Sequence, residues 1–263
     1  MSRAEDADRG RRLRFAHDLL DLTDAVAVRA FRGELTVRAK PDRTLVTEAD
    51  TEIERLIRER VAARYPTDGF LGEELGADQA SAESRWIVDP IDATHNFVRG
   101  IGVFATLLAF ERAGALELGL VSAPALGQRW FATRGAGAFF REAGADRPIR
   151  VSSIGRLAEA HVLYGSIGRL GPRREARLAA MARGAWRNRG FGDFWGHMLV
   201  AQGSAEVMVE AELRPWDVAA PAIILVEAGG RLTDFAGRPS WSGPEAVSTN
   251  GLLHDTVLAR LAG

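Results

Sequence analysis

Apolar residues recur at helical spacing from the start of the chain. Leu13, Ala16, Leu19, Leu20, Val26 and Ala27 mark one face of a long helix that stops at Gly33. Residues 3 to 14 are polar and are expected to fray. Ile53, Leu56, Ile57 and Val61 repeat the pattern; Thr47 followed by Asp50 has the form of a capping box that starts this second helix, and Tyr65-Pro66 ends it. Short apolar runs flanked by glycines then favour strands over 85–88, 103–110 and 116–122. After Val151 strands and helices alternate: a strand over 162–164, a basic helix from about Pro172, an extended stretch over 186–191, a helix over 194–201, a strand over 207–210, a helix over 218–228 closed by Gly229-Gly230, and a terminal helix over 252–261. The pattern predicts a layered α/β fold, read as one unit over 1–263 with lobes at 1–150 and 151–263.

Composition narrows the function. The 263 residues are 46% hydrophobic and 26% charged, as in ordinary soluble domains, and 34 Lys plus Arg balance 35 Asp plus Glu. No global field draws the chain to nucleic acid or an anionic membrane, and the arginines at 173, 174, 177, 183 and 187 read as the solvated face of a helix. Without cysteine there is no disulfide, thiolate metal site or thiol nucleophile. No signal peptide or span of transmembrane length is evident, and a cytoplasmic location is expected.

Chemistry concentrates in four acidic clusters beside predicted element ends: T-E-A-D (47–50), G-E-E-L-G (72–76), W-I-V-D-P-I-D-A-T (86–94) and P-W-D-V-A-A (215–220). In the third, a strand delivers Asp89 and Asp92 on either side of Pro90-Ile91, so two carboxylates share one short turn. At ~4 Å like charges repel by ~4 kcal/mol at an effective dielectric of 20, which calls for a proton or a cation. An all-oxygen set suits Mg²⁺ or Mn²⁺; zinc would recruit His or Cys, and the five histidines form no H-x-H or H-E-x-x-H pattern. Of these, His95 alone stands out by position. Ala93-Thr94-His95-Asn96 reads as a helix start whose free N–H groups form an anion site. Taken singly, each cluster has a structural reading: Asp50 as part of a capping box, Asp217 as the N-cap of a helix holding Pro221 in its first turn, Glu73-Glu74 as a solvated turn, and D-P-I-D as a turn.

Together the motifs resemble the inositol monophosphatase family of metal-dependent phosphatases, from about Lys40 to Asn250. The signature W-x-V-D-P-I-D-G-T-x-N-F is matched by residues 86–97, and W-D-x-A-A…E-A-G-G by 216–230. The resemblance implies an αβαβα sandwich, often a homodimer, with two or three Mg²⁺ ions held by Glu73, Asp89, the Ile91 carbonyl, Asp92 and Asp217. It further implies that Asp50 and Thr94, with Glu73, serve the attacking water and that the Ala93 and Thr94 amides hold the phosphate. The family's glycine is Ala93 here; a positive φ would strain it, whereas an ordinary helix start, the expected case, would cost little. N-F-V-R-G (96–100), V-S-A-P-A-L-G-Q-R-W (121–130) and R-G-F-G-D-F-W (189–195) look most like bacterial histidinol-phosphate phosphatases, which implies a place in histidine biosynthesis. Asp193 and Glu210 are then the partners for a cationic substrate, with helix capping as the alternative for Asp193. Two other readings stand beside this one: an inositol- or sugar-phosphate phosphatase sharing every metal ligand, and a catalytically silent homologue.

Overall fold

The computed structural model describes residues 3–33, 36–39 and 45–262; Lys40, where the resemblance begins, lies outside them. The chain opens with α1 (Arg3–Phe31), β1 (Val37–Ala39), β2 (Leu45–Thr47), α2 (Glu48–Arg64), β3 (Gly69–Gly72) and β4 (Gly76–Asp78). There follow β5 (Ser84–Asp92), α3 (Thr94–Val98) and the meander β6 (Ala105–Arg112), β7 (Ala115–Ala123), β8 (Gln128–Thr133), β9 (Gly137–Glu142) and β10 (Ala145–Ile149). The second half runs β11 (His161–Tyr164), α4 (Gly171–Arg183), β12 (Arg187–Arg189), α5 (Asp193–Ala201), β13 (Val207–Ala211), α6 (Pro215–Glu227), β14 (Arg231–Thr233), β15 (Glu245–Thr249) and α7 (His254–Ala262). An eight-stranded sheet has the order β10-β9-β8-β7-β6-β5-β3-β4 and a five-stranded sheet the order β12-β11-β13-β15-β14; β1 and β2 form a two-stranded pair.

Alternation along the strands builds the layers. On β5, Trp86 and Val88 join the α1 and α2 residues Leu19, Leu20, Ile53 and Ile57 in one core, whereas Ile87 faces a second core with Met198 of α5 and Ile223 and Ile224 of α6. That second core continues onto Leu163, Met208 and Ala246 of the small sheet, whose opposite face presents Val162, Val207, Val209 and Val247 to Leu178 of α4 and Val257 of α7. The result is the expected sequence of helix, sheet, helix, sheet and helix layers.

Two expectations are corrected. The polar residues 3 to 14 do not fray: α1 begins at Arg3, and Arg9 and Arg12 are buried. Arg9 pairs with Glu117 and Arg12 with Asp68, while the Arg12 guanidinium lies 4.1 Å from the centroids of both the Tyr65 and Phe110 rings. These partners are remote in sequence, so the local polarity was a misleading signal. Pro221 is not in the first turn of its helix either, because α6 starts at Pro215, whose missing N–H is one of the helix's unused donors. Pro221 falls inside α6 and cannot donate to the Asp217 carbonyl one turn back.

Candidate active site

The end of β5 makes the site. Asp89 pairs with Leu107 and Asp92 with Ala105, and the ladder is irregular between them, so Pro90 and Ile91 bulge out of register. Thr106 Oγ1 donates to the Pro90 carbonyl at 2.8 Å and Thr94 Oγ1 to the Ile91 carbonyl at 2.9 Å, fixing the bulge from both sides. Asp217, in the first turn of α6, accepts the Arg214 N–H at 2.7 Å. Asp89, Asp92 and Asp217 each offer a carboxylate oxygen within 4.8 Å of the others.

Burial and mutual repulsion push the Asp89 carboxyl well above the usual range, with Glu73, Asp92, Asp217 and Asp50 adding to the effect. Asp92 is raised well above it too, by burial and then by Asp193 and Asp217, although its Oδ2 accepts the Phe194 N–H at 2.7 Å. Burial lifts Asp217 to about 7 and Asp50 to about 6, each against hydrogen bonds that favour the ionised form. Asp50 Oδ2 accepts both the Thr47 N–H (2.8 Å) and its hydroxyl (2.5 Å), so the capping box is present, yet Asp50 Oδ1 is buried without a hydrogen-bond partner among the described residues. Asp89 Oδ1 is in the same condition. Converging carboxylates with orphaned oxygens and no sulfur or imidazole among them fit a hard divalent cation, which would satisfy those oxygens and remove the repulsion.

Glu73 is half-buried on the turn after β3, and its charge acts on Asp89, Asp50 and Asp217, so the second acidic motif faces the same cluster. The turn is held by a residue the sequence reading passed over. Glu54 is fully buried on α2, where its Oε2 accepts the Glu74 N–H at 2.7 Å and its Oε1 the Leu75 N–H at 2.9 Å. Its signal was available: a carboxylate on the otherwise apolar stripe of Ile53, Ile57 and Val61.

Ala93 departs from expectation. It is the single residue between β5 and α3, and its φ of 66° and ψ of 45° are left-handed, the conformation in which glycine is unstrained. The chain reverses from strand to helix in one residue here, and an ordinary helix start cannot do that. His95 lies on the exposed side of α3 and makes no side-chain hydrogen bond or ion pair to the cluster among the described residues.

Asp193 and Glu210 meet beside Asp92. The Asp193 N–H donates to Glu210 Oε1 at 3.1 Å, and burial followed by the Glu210 charge raises the Asp193 carboxyl to about 7. The capping alternative for Asp193 is not what the fold uses: Gly192 flanks α5, Asp193 is its first residue with a left-handed φ of 57°, and among the described residues its carboxylate accepts no hydrogen bond from the first turn. A cavity of about 620 Å³ lies elsewhere, between α1 and the turn carrying Gly127; the Arg129 ion pairs with Asp21 and Asp24 line it, and it shares no residue with the cluster.

A layered fold with an all-oxygen carboxylate site at a strand end is the arrangement of a metal-dependent hydrolase of phosphomonoesters, and comparison with known proteins agrees. The model of the inositol monophosphatase family matches residues 12–262, and the chain belongs to that family. It is 43% identical over 258 residues to the histidinol-phosphatase of Streptomyces coelicolor, covering 95% of this chain and 96% of the relative. The histidinol-phosphatase of Mycobacterium tuberculosis is 44% identical over 257 residues, covering 94% and 98%. A fructose-1,6-bisphosphatase/inositol-1-monophosphatase of Thermotoga maritima is 35% identical over 216 residues, 81% of each chain. Among solved structures, an IMPase from Thermotoga maritima superposes with a TM-score of 0.85 at 33% identity over 95% of this chain and 96% of its own. The extragenic suppressor protein SuhB of Bartonella henselae gives 0.89 at 28% identity over 96% and 98%.

Proposed function

We propose that the protein hydrolyses L-histidinol phosphate to L-histidinol and phosphate, with Mg²⁺ as its metal, as a step of histidine biosynthesis in the cytoplasm. The observation that carries this reading is the Asp193–Glu210 pair beside the three-aspartate cluster: two neighbouring carboxyl groups, Glu210 buried and Asp193 partly so, whose ionised forms a positive charge would stabilise. Histidinol carries an ammonium and an imidazole, and the phosphate ester of an uncharged polyol brings neither. The two histidinol-phosphatases at 43% and 44% identity support the same choice.

In this reading Glu73, Asp89, the Ile91 carbonyl, Asp92 and Asp217 would hold the metal, which when bound supplies an activated water and charge stabilisation for the departing oxygen. Thr94 and Asp50 orient the water. The Thr94 hydroxyl proton is committed to the Ile91 carbonyl, so its lone pairs are free to accept from that water. The backbone N–H groups of Ala93 and Thr94 hold the phosphoryl oxygens. Asp193 and Glu210 receive the cationic end of the substrate, placing phosphorus in line between water and ester oxygen. The water oxygen bonds to phosphorus as the ester P–O bond breaks, and the alcohol leaves with a proton derived from water. A homodimer, as the resemblance implies, is part of the same reading.

The test is phosphate release from L-histidinol phosphate and from inositol 1-phosphate, each with Mg²⁺ and with excess chelator. Metal-dependent preference for histidinol phosphate is expected. Preference for inositol 1-phosphate would sink the substrate assignment and keep the metal chemistry; turnover of neither, with Mg²⁺ present, would direct attention to other phosphomonoesters and then to a silent homologue.

A further inference from the structure

The buried face of α5 carries a histidine for which the reaction outlined above has no use. His197 is 1% exposed and stands one turn after Asp193. Its Nδ1 lies 2.7 Å from Ser248 Oγ on β15, and its Nε2 lies 3.3 Å from Glu210 Oε2 on β13. Those strands pair with Met208 opposite Ser248 and Glu210 opposite Ala246, so Ser248 and Glu210 project from the same face of the small sheet and His197 reaches down to bridge them.

The contact between His197 Nε2 and Glu210 Oε2 is not aligned as a full hydrogen bond, and neither atom, both shielded from solvent, has another partner among the described residues. Leaving a buried polar atom without a partner is costly, so two that face each other at 3.3 Å are each other's compensation. A Ser248 hydroxyl donating to Nδ1 leaves the ring proton on Nε2, the nitrogen on the side of the carboxylate. The other Glu210 oxygen is equally constrained. Oε1 accepts the Asp193 N–H at 3.1 Å and packs on Gly165 so closely that a Cβ there would stand 2.1 Å from it.

We propose that His197, anchored by Ser248, is a positioning residue for substrate selectivity: it fixes the Glu210 carboxylate between α5 and the end of β11 so that it meets the cationic group of the phosphomonoester. The inference rests on the reading that Glu210 contacts the substrate.

The experiment measures kcat and KM for histidinol phosphate and for inositol 1-phosphate, which has no cationic group, in the wild type, His197→Leu, His197→Gln, Glu210→Gln and the His197→Leu/Glu210→Gln double variant, with melting temperatures alongside. His197→Leu is expected to lower kcat/KM for histidinol phosphate at least tenfold more than for inositol 1-phosphate, mainly through KM. His197→Gln, whose amide can reach the same carboxylate, should recover most of that loss, and the double variant should be no less selective than Glu210→Gln alone. Equal losses on both substrates, or an unchanged ratio where Glu210→Gln changes it, would overturn the positioning role while leaving the Glu210 reading intact. An unchanged ratio in Glu210→Gln, or no turnover of histidinol phosphate by the wild type, would instead sink the substrate reading and this inference with it. Should His197→Leu fail to fold, Ser248→Ala releases the anchor alone; it is expected to shift the ratio about threefold in the same direction, and no shift refutes the proposal.

Discussion

Replacing Glu54 by glutamine tests whether one buried carboxylate both stabilises the turn after β3 and positions Glu73. In the wild type the two Glu54 oxygens accept the N–H groups of Glu74 and Leu75 at 2.7 and 2.9 Å, and Arg58 stands 3.6 Å away. The strand end is pressed against this carboxylate, for a Cβ on Gly72 would lie 2.1 Å from Oε1. Glutamine keeps one acceptor and turns an NH₂ toward the other N–H, so one charge-assisted hydrogen bond is lost, worth about 1.5–3 kcal/mol, and two donors confront each other. Against this, burial already holds the Glu54 carboxyl above its ordinary range, and removing the charge returns part of that desolvation cost. The net expectation is a loss of about 2 kcal/mol, or roughly 4–8 °C in Tm at about 2–4 °C per kcal/mol for a chain of this size.

The functional half of the prediction uses the same thermal assay with and without Mg²⁺. A ligand at 100 times its Kd stabilises by about 2.7 kcal/mol, and a tenfold loss of affinity removes about 1.4 kcal/mol of that. If Glu54 positions Glu73, the Mg²⁺-induced rise in Tm shrinks by roughly 3–6 °C beyond the drop in the metal-free protein. A metal-free Tm that does not move would refute the hydrogen-bond accounting. A Tm that falls as calculated with an undiminished Mg²⁺ response would refute the positioning role, since the turn would then hold Glu73 without Glu54.

Ala93→Gly should leave unfolding free energy in denaturant within about 1 kcal/mol of wild type: relief of left-handed strain, about 1–2 kcal/mol, is offset by about 0.4–1 kcal/mol of added unfolded-chain entropy and about 0.8 kcal/mol for the buried methyl. A change beyond about 2 kcal/mol in either direction would refute that balance. In metal-free buffer at pH 7, Asp89→Asn should stabilise the protein by about 1–3 kcal/mol by removing a buried like charge, and should abolish stabilisation by Mg²⁺; destabilisation without metal would mean the cluster is not repulsive. His254 is fully buried between the Thr233 and Thr249 hydroxyls, and burial lowers its pKa from 6.5 to about 4. The unfolded chain then takes up a proton that the folded one refuses, so the stability present above pH 6.5 declines as pH falls, by about 2 kcal/mol at pH 5 and about 3 kcal/mol at pH 4. Denaturant unfolding at these values should show that decline, and His254→Asn should flatten it.

What was legible in the sequence is what depends on local pattern. The apolar stripe of α2, its Thr47–Asp50 capping box and its end before Tyr65-Pro66 are all present, because each is settled within a few residues. The acidic motifs announced their meeting because carboxylates at element ends are hard to place apart from a cation. The polar start of α1 was misread because Glu117 and Asp68, which bury Arg9 and Arg12, are 108 and 56 residues away in sequence. The start of α6 was misread because Asp217 looked like a cap, whereas Pro215 carried the true signal.

Ala93 shows most clearly where local reading ends. The string A-T-H-N is compatible with an ordinary helix start, and nothing in it demands a positive φ. The demand comes from both sides at once: Asp92 must stay in register opposite Ala105 to keep its carboxylate beside Asp89, and Thr94 must already be helical, with its hydroxyl on the Ile91 carbonyl. One residue is left to turn the chain, and the left-handed conformation is how a single residue does so. The strain at Ala93 is therefore a consequence of bringing carboxylates and amides to one point. The same logic explains why Glu54 and His197 escaped notice: each is a buried polar residue whose use is to hold a neighbouring acidic residue in place, a use that exists only once the layers have closed around it.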